Sequence, residues 1–208
     1  MKVRADLGPY RFPSKRSSLY DTTLPHFGPY KNEVGEIYMG QFKDGQPHGE
    51  GKSYWPNGDW HKGEYFQGVK HGNGVYIWSE SEANYQGYWD NNVRTGKGTF
   101  KDKNGDTYTG DHRDEKRHGE GKLVVVSDPN GSYEYVGAFV LGEKHGFGTI
   151  KVKDGEYYEG NWSKDQKHGK GKAAYPNGNV YHGDFVQDQK TGSGTYVYKG
   201  YGIYTGQM

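Results

Sequence analysis

The chain has 208 residues, with 35 glycines, 20 tyrosines, five tryptophans, no cysteine and a formal net charge of +1. The absence of cysteine excludes a disulfide framework, a thiolate nucleophile and any cysteine-based metal site, and the near-zero charge argues against a dedicated nucleic-acid binder. Val, Leu, Ile and Phe make up only about 15% of the chain, a level that signals disorder when net charge is high, so here the fold must be built on aromatic rings and glycine instead.

Residues 1–30 come first. They hold Pro9, Pro13, Pro25 and Pro29, and the tripeptide Gly-Pro-Tyr at 8–10 and again at 28–30. Five Lys/Arg against two Asp give this stretch a charge of +3. It is predicted to be an irregular, extended N-terminal arm. Its Tyr10, Phe12, Tyr20, Phe27 and Tyr30 are candidate anchors, either on a partner protein or folded back on the aromatic face described below. Lys15-Arg16 beside Ser17-Ser18 falls short of the basic cluster of about four to eight residues that anionic lipid requires. The opening MKVRADLGPYRF lacks the apolar stretch of a secretory signal. No apolar run reaches the ~18 residues of a membrane-spanning helix, so no helix is expected to cross a membrane, and membrane contact ranks below contact with proteins.

From residue 31 onward a repeat governs the chain. A Y-x-G-x-aromatic cluster recurs at Tyr38–Phe42, Tyr85–Trp89, Tyr135–Phe139, Tyr158–Trp162 and Tyr181–Phe185. Looser copies surround Gly63, where His61 replaces the tyrosine, and Gly110, where His112 replaces the second aromatic. The glycines at 40, 63, 87, 110, 137, 160, 183 and 206 are spaced by 23, 24, 23, 27, 23, 23 and 23 residues. Nine residues after each of the first seven comes a G-x-G, from Gly49/Gly51 to Gly192/Gly194. Asn57-Gly58, Asn104-Gly105, Asn130-Gly131, Asp154-Gly155 and Asn177-Gly178 read as tight hairpin turns, because such pairs tolerate φ > 0. Alternation within the unit has period two, and no helical period appears anywhere.

Each unit is therefore predicted to be one β-hairpin with a glycine-and-aromatic face and a more polar face. Seven such repeats and a final half repeat fill residues 31–208. The fold is all-β, an elongated single-layer antiparallel meander of tandem hairpins roughly 65–70 Å long at ~4.8 Å per strand. A single layer is expected to leave part of its aromatic face open, and aromatic patches mark protein interfaces. The candidate face residues are Tyr38, Phe42, Trp55, Tyr76, Trp78, Tyr85, Trp89, Tyr135, Phe139, Tyr158, Trp162, Tyr181 and Phe185. The last half repeat ends on an edge that is expected to be covered or paired, which makes a homodimer through it one candidate assembly.

No enzyme chemistry is expected. His48, His71, His118, His145 and His168 recur before the G-x-G, but neighbouring copies stand about 9.6 Å apart, too far for one ion with ~2 Å ligand bonds. The G-x-G lacks the third glycine and following helix of a dinucleotide loop. No carboxylate pair sits against an apolar pocket as a general acid requires. No catalytic residue, cofactor or metal is assigned.

The Y-x-G-x-W…H-G-x-G pattern with its Asn-Gly turn, most complete from Tyr158 to Gly178, resembles the MORN repeat (membrane occupation and recognition nexus) over about residues 36–206. The resemblance implies a non-catalytic scaffold whose partners are other proteins of a large assembly. Proteins of this family occur in ciliary axonemes, including radial-spoke heads, and in parasite cytoskeletons. It therefore implies a cytoplasmic, cytoskeletal place, in a cilium or flagellum. Membrane- or phosphoinositide-associated scaffolds and regulatory modules of larger enzymes are the family's other roles. The Ser79–Ala83 stretch, where an Asn-Gly is missing, and the insertion around Val126–Ser132 depart from the pattern.

Overall fold

Residues 21–153 and 155–208 are described by the computed structural model. Among them the sequence alternation becomes sixteen strands in one open antiparallel sheet, ordered as they occur in the chain. An opening strand β1 (His26–Lys31) precedes the repeats. Four hairpins follow: β2 (Ile37–Lys43) with β3 (Gln46–Tyr54), β4 (Trp60–Phe66) with β5 (Val69–Trp78), β6 (Ala83–Asp90) with β7 (Val93–Lys101), and β8 (Thr107–Arg113) with β9 (Lys116–Val125). Three more are β10 (Tyr133–Val140) with β11 (Glu143–Val152), β12 (Tyr157–Ser163) with β13 (Gln166–Ala174), and β14 (Val180–Val186) with β15 (Gln189–Tyr198). The half repeat is β16 (Gly202–Gln207).

Register is set by glycine. Gly40 lies opposite Gly51, Gly51 opposite Gly63, Gly63 opposite Gly74, and the line continues through Gly160, Gly171, Gly183 and Gly194 to Gly206. One glycine per strand thus crosses the sheet from β2 to β16. Their missing side chains leave a furrow, and the repeat's tyrosine lies down in it. Tyr158 spans Gly160 and Gly171, and its hydroxyl donates to the carbonyl of Asn161 at 2.8 Å. Tyr38, Tyr85, Tyr108, Tyr135 and Tyr181 repeat this seat and this bond. His61 takes the same seat over Gly63 and Gly74.

The second aromatic of each unit then locks neighbours together. Tyr158 meets Trp162 of its own strand at 5.2 Å and Phe185 of the next repeat at 5.1 Å, both edge-to-face. The same contacts link Phe42, Tyr38, Tyr65, His61, Trp89, Tyr85, His112, Tyr108, Phe139, Tyr135, Trp162, Tyr158, Phe185 and Tyr181 into one chain of rings. Edge-to-face pairs contribute about 0.5–1.5 kcal/mol each beyond area burial, so the repeats stabilise one another in series.

Two expectations shift. The tight two-residue turns are not at the Asn-Gly pairs. They fall at Asp44-Gly45, Gln67-Gly68, Asn91-Asn92, Asp114-Glu115, Leu141-Gly142, Lys164-Asp165 and Gln187-Asp188, where both residues have positive φ. Such conformations are unfavourable for side-chain-bearing residues. In four of these turns the second residue compensates by accepting the amide of the previous hairpin: Asn92 from Lys70, Glu115 from Arg94, Asp165 from Lys144 and Asp188 from Lys167. Asn57-Gly58 sits instead in a wider loop closed by Trp55 N–H to the Asp59 carbonyl at 2.9 Å, and Asp154 lies outside the described residues.

The second shift is that the arm is not irregular to its end. Residues 26–31 form β1 and pair with β2, placing Phe27 opposite Gly40 and Tyr30 opposite Tyr38. Pro29 is tolerated there because an edge strand need not donate on its outer side.

Candidate interaction face

The single layer leaves only a small part of its aromatic face open, at Phe42, Trp55, Tyr76 and Trp78. Tyr38, Tyr85, Trp89, Tyr135, Phe139, Tyr158, Trp162, Tyr181 and Phe185 are all buried, with Tyr85, Tyr135, Tyr158 and Tyr181 at 0% exposure. The physical reason is the glycine furrow, which lets rings lie flat against backbone and interlock edge-to-face. Phe42, Trp55, Tyr76 and Trp78 are half-buried. Of the arm residues, Phe27 and Tyr30 are more than half exposed and pack on Phe42 at 5.6 and 6.0 Å. Tyr10, Phe12 and Tyr20 lie outside the described residues.

What the aromatic face does present is a row of cations that the sequence pattern did not single out. Lys70, Arg94, Arg117, Lys144, Lys167 and Lys190 each occupy the position just before the His or Thr of the G-x-G cluster. Each charge lies over one or more rings of its own or an adjoining repeat, where the ring quadrupole attracts it. Lys70 Nζ stands 4.4 Å from Tyr76, 4.5 Å from Trp89 and 5.5 Å from Trp55. Lys190 Nζ is framed by Tyr175, Tyr196 and Tyr181 at 4.7, 5.0 and 5.6 Å. Arg94 covers Trp78, Phe100 and Tyr85, and Lys144 covers Trp162, Tyr133 and Tyr135. Burial among the rings lowers the Lys70 ammonium to about 8 and shifts Lys144 in the same direction.

Three of the cations have carboxylates in the chain. Arg94 pairs with Glu115, Lys167 with Glu156 at 2.7 Å, and Lys144 with Asp165 at 3.9 Å. A cavity of about 630 Å³ opens in the middle of the row, beside Arg94, Arg117, Tyr108, Tyr133 and the inserted loop at Asp128-Pro129. Asp106 holds that loop in place, accepting the amides of Val126 and Ser127 and the Ser127 hydroxyl.

The histidines divide by location. His61 and His112 are buried in the ring chain, and burial lowers both pKa values, that of His61 to about 3. Of the five histidines before the G-x-G, His48 packs on Phe66, and His71 on Phe66 and Tyr88. Among the described residues no group of three or more His, Asp or Glu is placed to hold a metal.

Furrow, ring chain and repeated hairpin define a tandem-repeat rod. The MORN repeat matches residues 38–60, 61–81, 85–107, 135–157, 158–180 and 181–203, so the chain belongs to the MORN-repeat proteins. The MORN repeat as a family is a non-enzymatic repeat module, and its presence suggests a scaffold for protein–protein or membrane association. Residues 108–134, with His112 and the insertion, fall outside the matched copies, yet β8 and β9 keep the same hairpin and glycine register. Over 120 residues the chain is 30% identical to alsin of Mus musculus and of Homo sapiens, a match covering 54% of this chain and 7% of alsin. The chain thus spans well under a tenth of the curated relatives it matches. A looser likeness, with 14% identity and TM-score 0.41, covers 83% of this chain and 95% of the SAS-4 TCP domain of Drosophila melanogaster, solved in complex with a proline-rich motif of Ana2.

Proposed function

We propose that the chain is a non-catalytic structural scaffold that holds other proteins of a large assembly along its length. The observation that carries this is the unbroken sheet from β1 to β16, which presents the same cation-and-ring chemistry at each of six successive repeats. A surface repeated along a rod suits an extended partner better than a compact one. The assembly we favour is a ciliary or flagellar axoneme complex such as a radial spoke, within the cytoskeleton; its support is family likeness, an analogy. A homodimer through β16 fits the exposure of Ile203 and Tyr204 on that last strand and of Tyr201 in the turn before it. The alsin match favours a second reading, a module of a larger protein such as a regulatory module of a larger enzyme complex, because there a similar stretch occupies a small part of a long chain.

Fractionation of cells separates these. A scaffold of the axoneme or cytoskeleton stays with the detergent-resistant fraction. Release by detergent together with liposome binding would instead identify a membrane-associated scaffold.

A further inference from the structure

The cation row is only half neutralised by the chain itself. No carboxylate lies within 4.0 Å of Lys70, Arg117 or Lys190 among the described residues, whereas Arg94 and Lys167 have close partners. Arg117 donates to the Gly142 carbonyl at 2.6 Å and otherwise faces the 630 Å³ cavity. The acidic residues on that cavity wall are engaged elsewhere. Asp102 accepts the amides of Asn104 and Asp106, Asp128 accepts that of Asn130, Asp106 holds the inserted loop, and Glu115 holds Arg94. Lys70 feels Glu115, Glu36 and Asp59 only at longer range, and a charge set among rings without a close ion pair is poised to gain from one.

We infer that this row binds an extended acidic polypeptide that runs along the rod, across the strands, with its carboxylates meeting Lys70, Arg117 and Lys190. Spacing supports the occupant. One repeat is two strands, about 9.6 Å, and three residues of an extended chain advance about 10 Å, or about 9.3 Å as polyproline II. A peptide with an acid at every third residue therefore stays in step with the repeats. Arg117 is two repeats beyond Lys70, and Lys190 three beyond Arg117, so the matching acids fall at i, i+6 and i+15. Recession of the row argues for a peptide over a bilayer. Lys70, Arg117 and Lys190 are half-buried among the rings, and the paired Arg94, Lys144 and Lys167 between them are recessed to 16%, 13% and 19% exposure, so the row suits side-chain carboxylates that reach in better than a flat headgroup surface. The inference rests on the scaffold reading and specifies which face and which partner chemistry serve it.

The test is fluorescence anisotropy on the full chain with a labelled Glu-Ser-Pro repeat peptide of roughly 18 residues, long enough to span the row at ~3.1 Å per residue. The comparison probes are its isomer with all glutamates contiguous and phosphatidylserine vesicles. The periodic peptide is expected to bind about tenfold more tightly than the isomer and to weaken steeply from about 50 to about 300 mM salt. Arg117→Gln and Lys190→Gln should each weaken it about tenfold, and Arg117→Lys should retain most of the binding. Lys97→Gln and Lys172→Gln, on the opposite face, should leave it nearly unchanged. Circular dichroism melts of each variant separate lost binding from lost fold. Equal binding of the two isomers, equal losses from the two faces, or vesicle binding that depends on Arg117 while the peptide fails would each overturn the inference. A native partner crosslinked elsewhere on the rod would leave the scaffold reading standing even then.

Discussion

Replacing Gly171 by alanine tests the glycine furrow at its centre. A Cβ at Gly171 would lie 2.5 Å from Cε2 and Oη of Tyr158 and 2.7 Å from its Cζ, inside the 3.0 Å that real Cβ contacts respect. The ring is fully buried and must lift to make room. Overpacking of this kind costs about 1–3 kcal/mol, and breaking the 2.8 Å bond from Tyr158 to the Asn161 carbonyl adds about 1 kcal/mol. With loosened contacts to Trp162 and Phe185, the expected loss is about 3–4 kcal/mol. Gly142→Ala is the control. Nothing lies within 4 Å of its Cβ, so only the strain of φ +101 remains, about 1–2 kcal/mol. In a Tyr158→Ala background Gly171→Ala should lose most of its cost. Gly160→Ala should keep much of its cost there, because besides Tyr158 Oη its Cβ meets backbone, the Gly171 Cα at 2.6 Å and the Lys170 carbonyl at 2.7 Å. Urea unfolding followed by circular dichroism and tryptophan fluorescence reads all of these. A Gly171→Ala no costlier than Gly142→Ala, or a full penalty after Tyr158 is removed, would refute the furrow as the reason for the repeated glycine.

Three further outcomes are expected. The His61 pKa falls from 6.5 unfolded to about 3 folded, so the unfolded state takes up the proton first; stability present above pH 6.5 is lost as pH falls, by about 2 kcal/mol at pH 5. His61→Tyr, the repeat's usual residue, should remove that component, and an unchanged difference between pH 7 and pH 5 would count against it. Asp106→Ala removes three hydrogen bonds to the inserted loop and should cost about 2 kcal/mol, with faster hydrogen exchange at the Val126 and Ser127 amides. Asp188→Val puts a β-branched residue at φ 68 and deletes the acceptor for Lys167 N–H, so it should destabilise by about 1–2 kcal/mol more than Asp188→Asn in the same urea assay.

Much of this architecture was legible in the sequence because glycine and tyrosine recur where backbone geometry admits little else. The glycine spacing alone placed every strand from β2 to β16. The turns were harder to locate. Lys164-Asp165 and Gln187-Asp188 carry no glycine, and what makes them tolerable is a hydrogen bond to the neighbouring hairpin, which only register reveals. Pro25 and Pro29 argued against β1, yet an edge strand accommodates proline on its outer side. Which aromatics stay open is not legible in the sequence, since period two assigns residues to a face without saying how closely rings can lie on glycine. The cation row left a visible signal, a basic residue before the His or Thr in six of the seven repeats, with Pro47 in the first. Its meaning emerged only when those charges proved to lie over rings instead of in solvent.

If this rod works by holding other polypeptides along its length, crosslinking mass spectrometry on native cells will show it. Crosslinks are expected from one or more partner polypeptides to lysines spread over several repeats, including 144, 167 and 190, in a detergent-resistant fraction. A chain recovered free of protein partners, or crosslinked only within itself while bound to lipid, would contradict it.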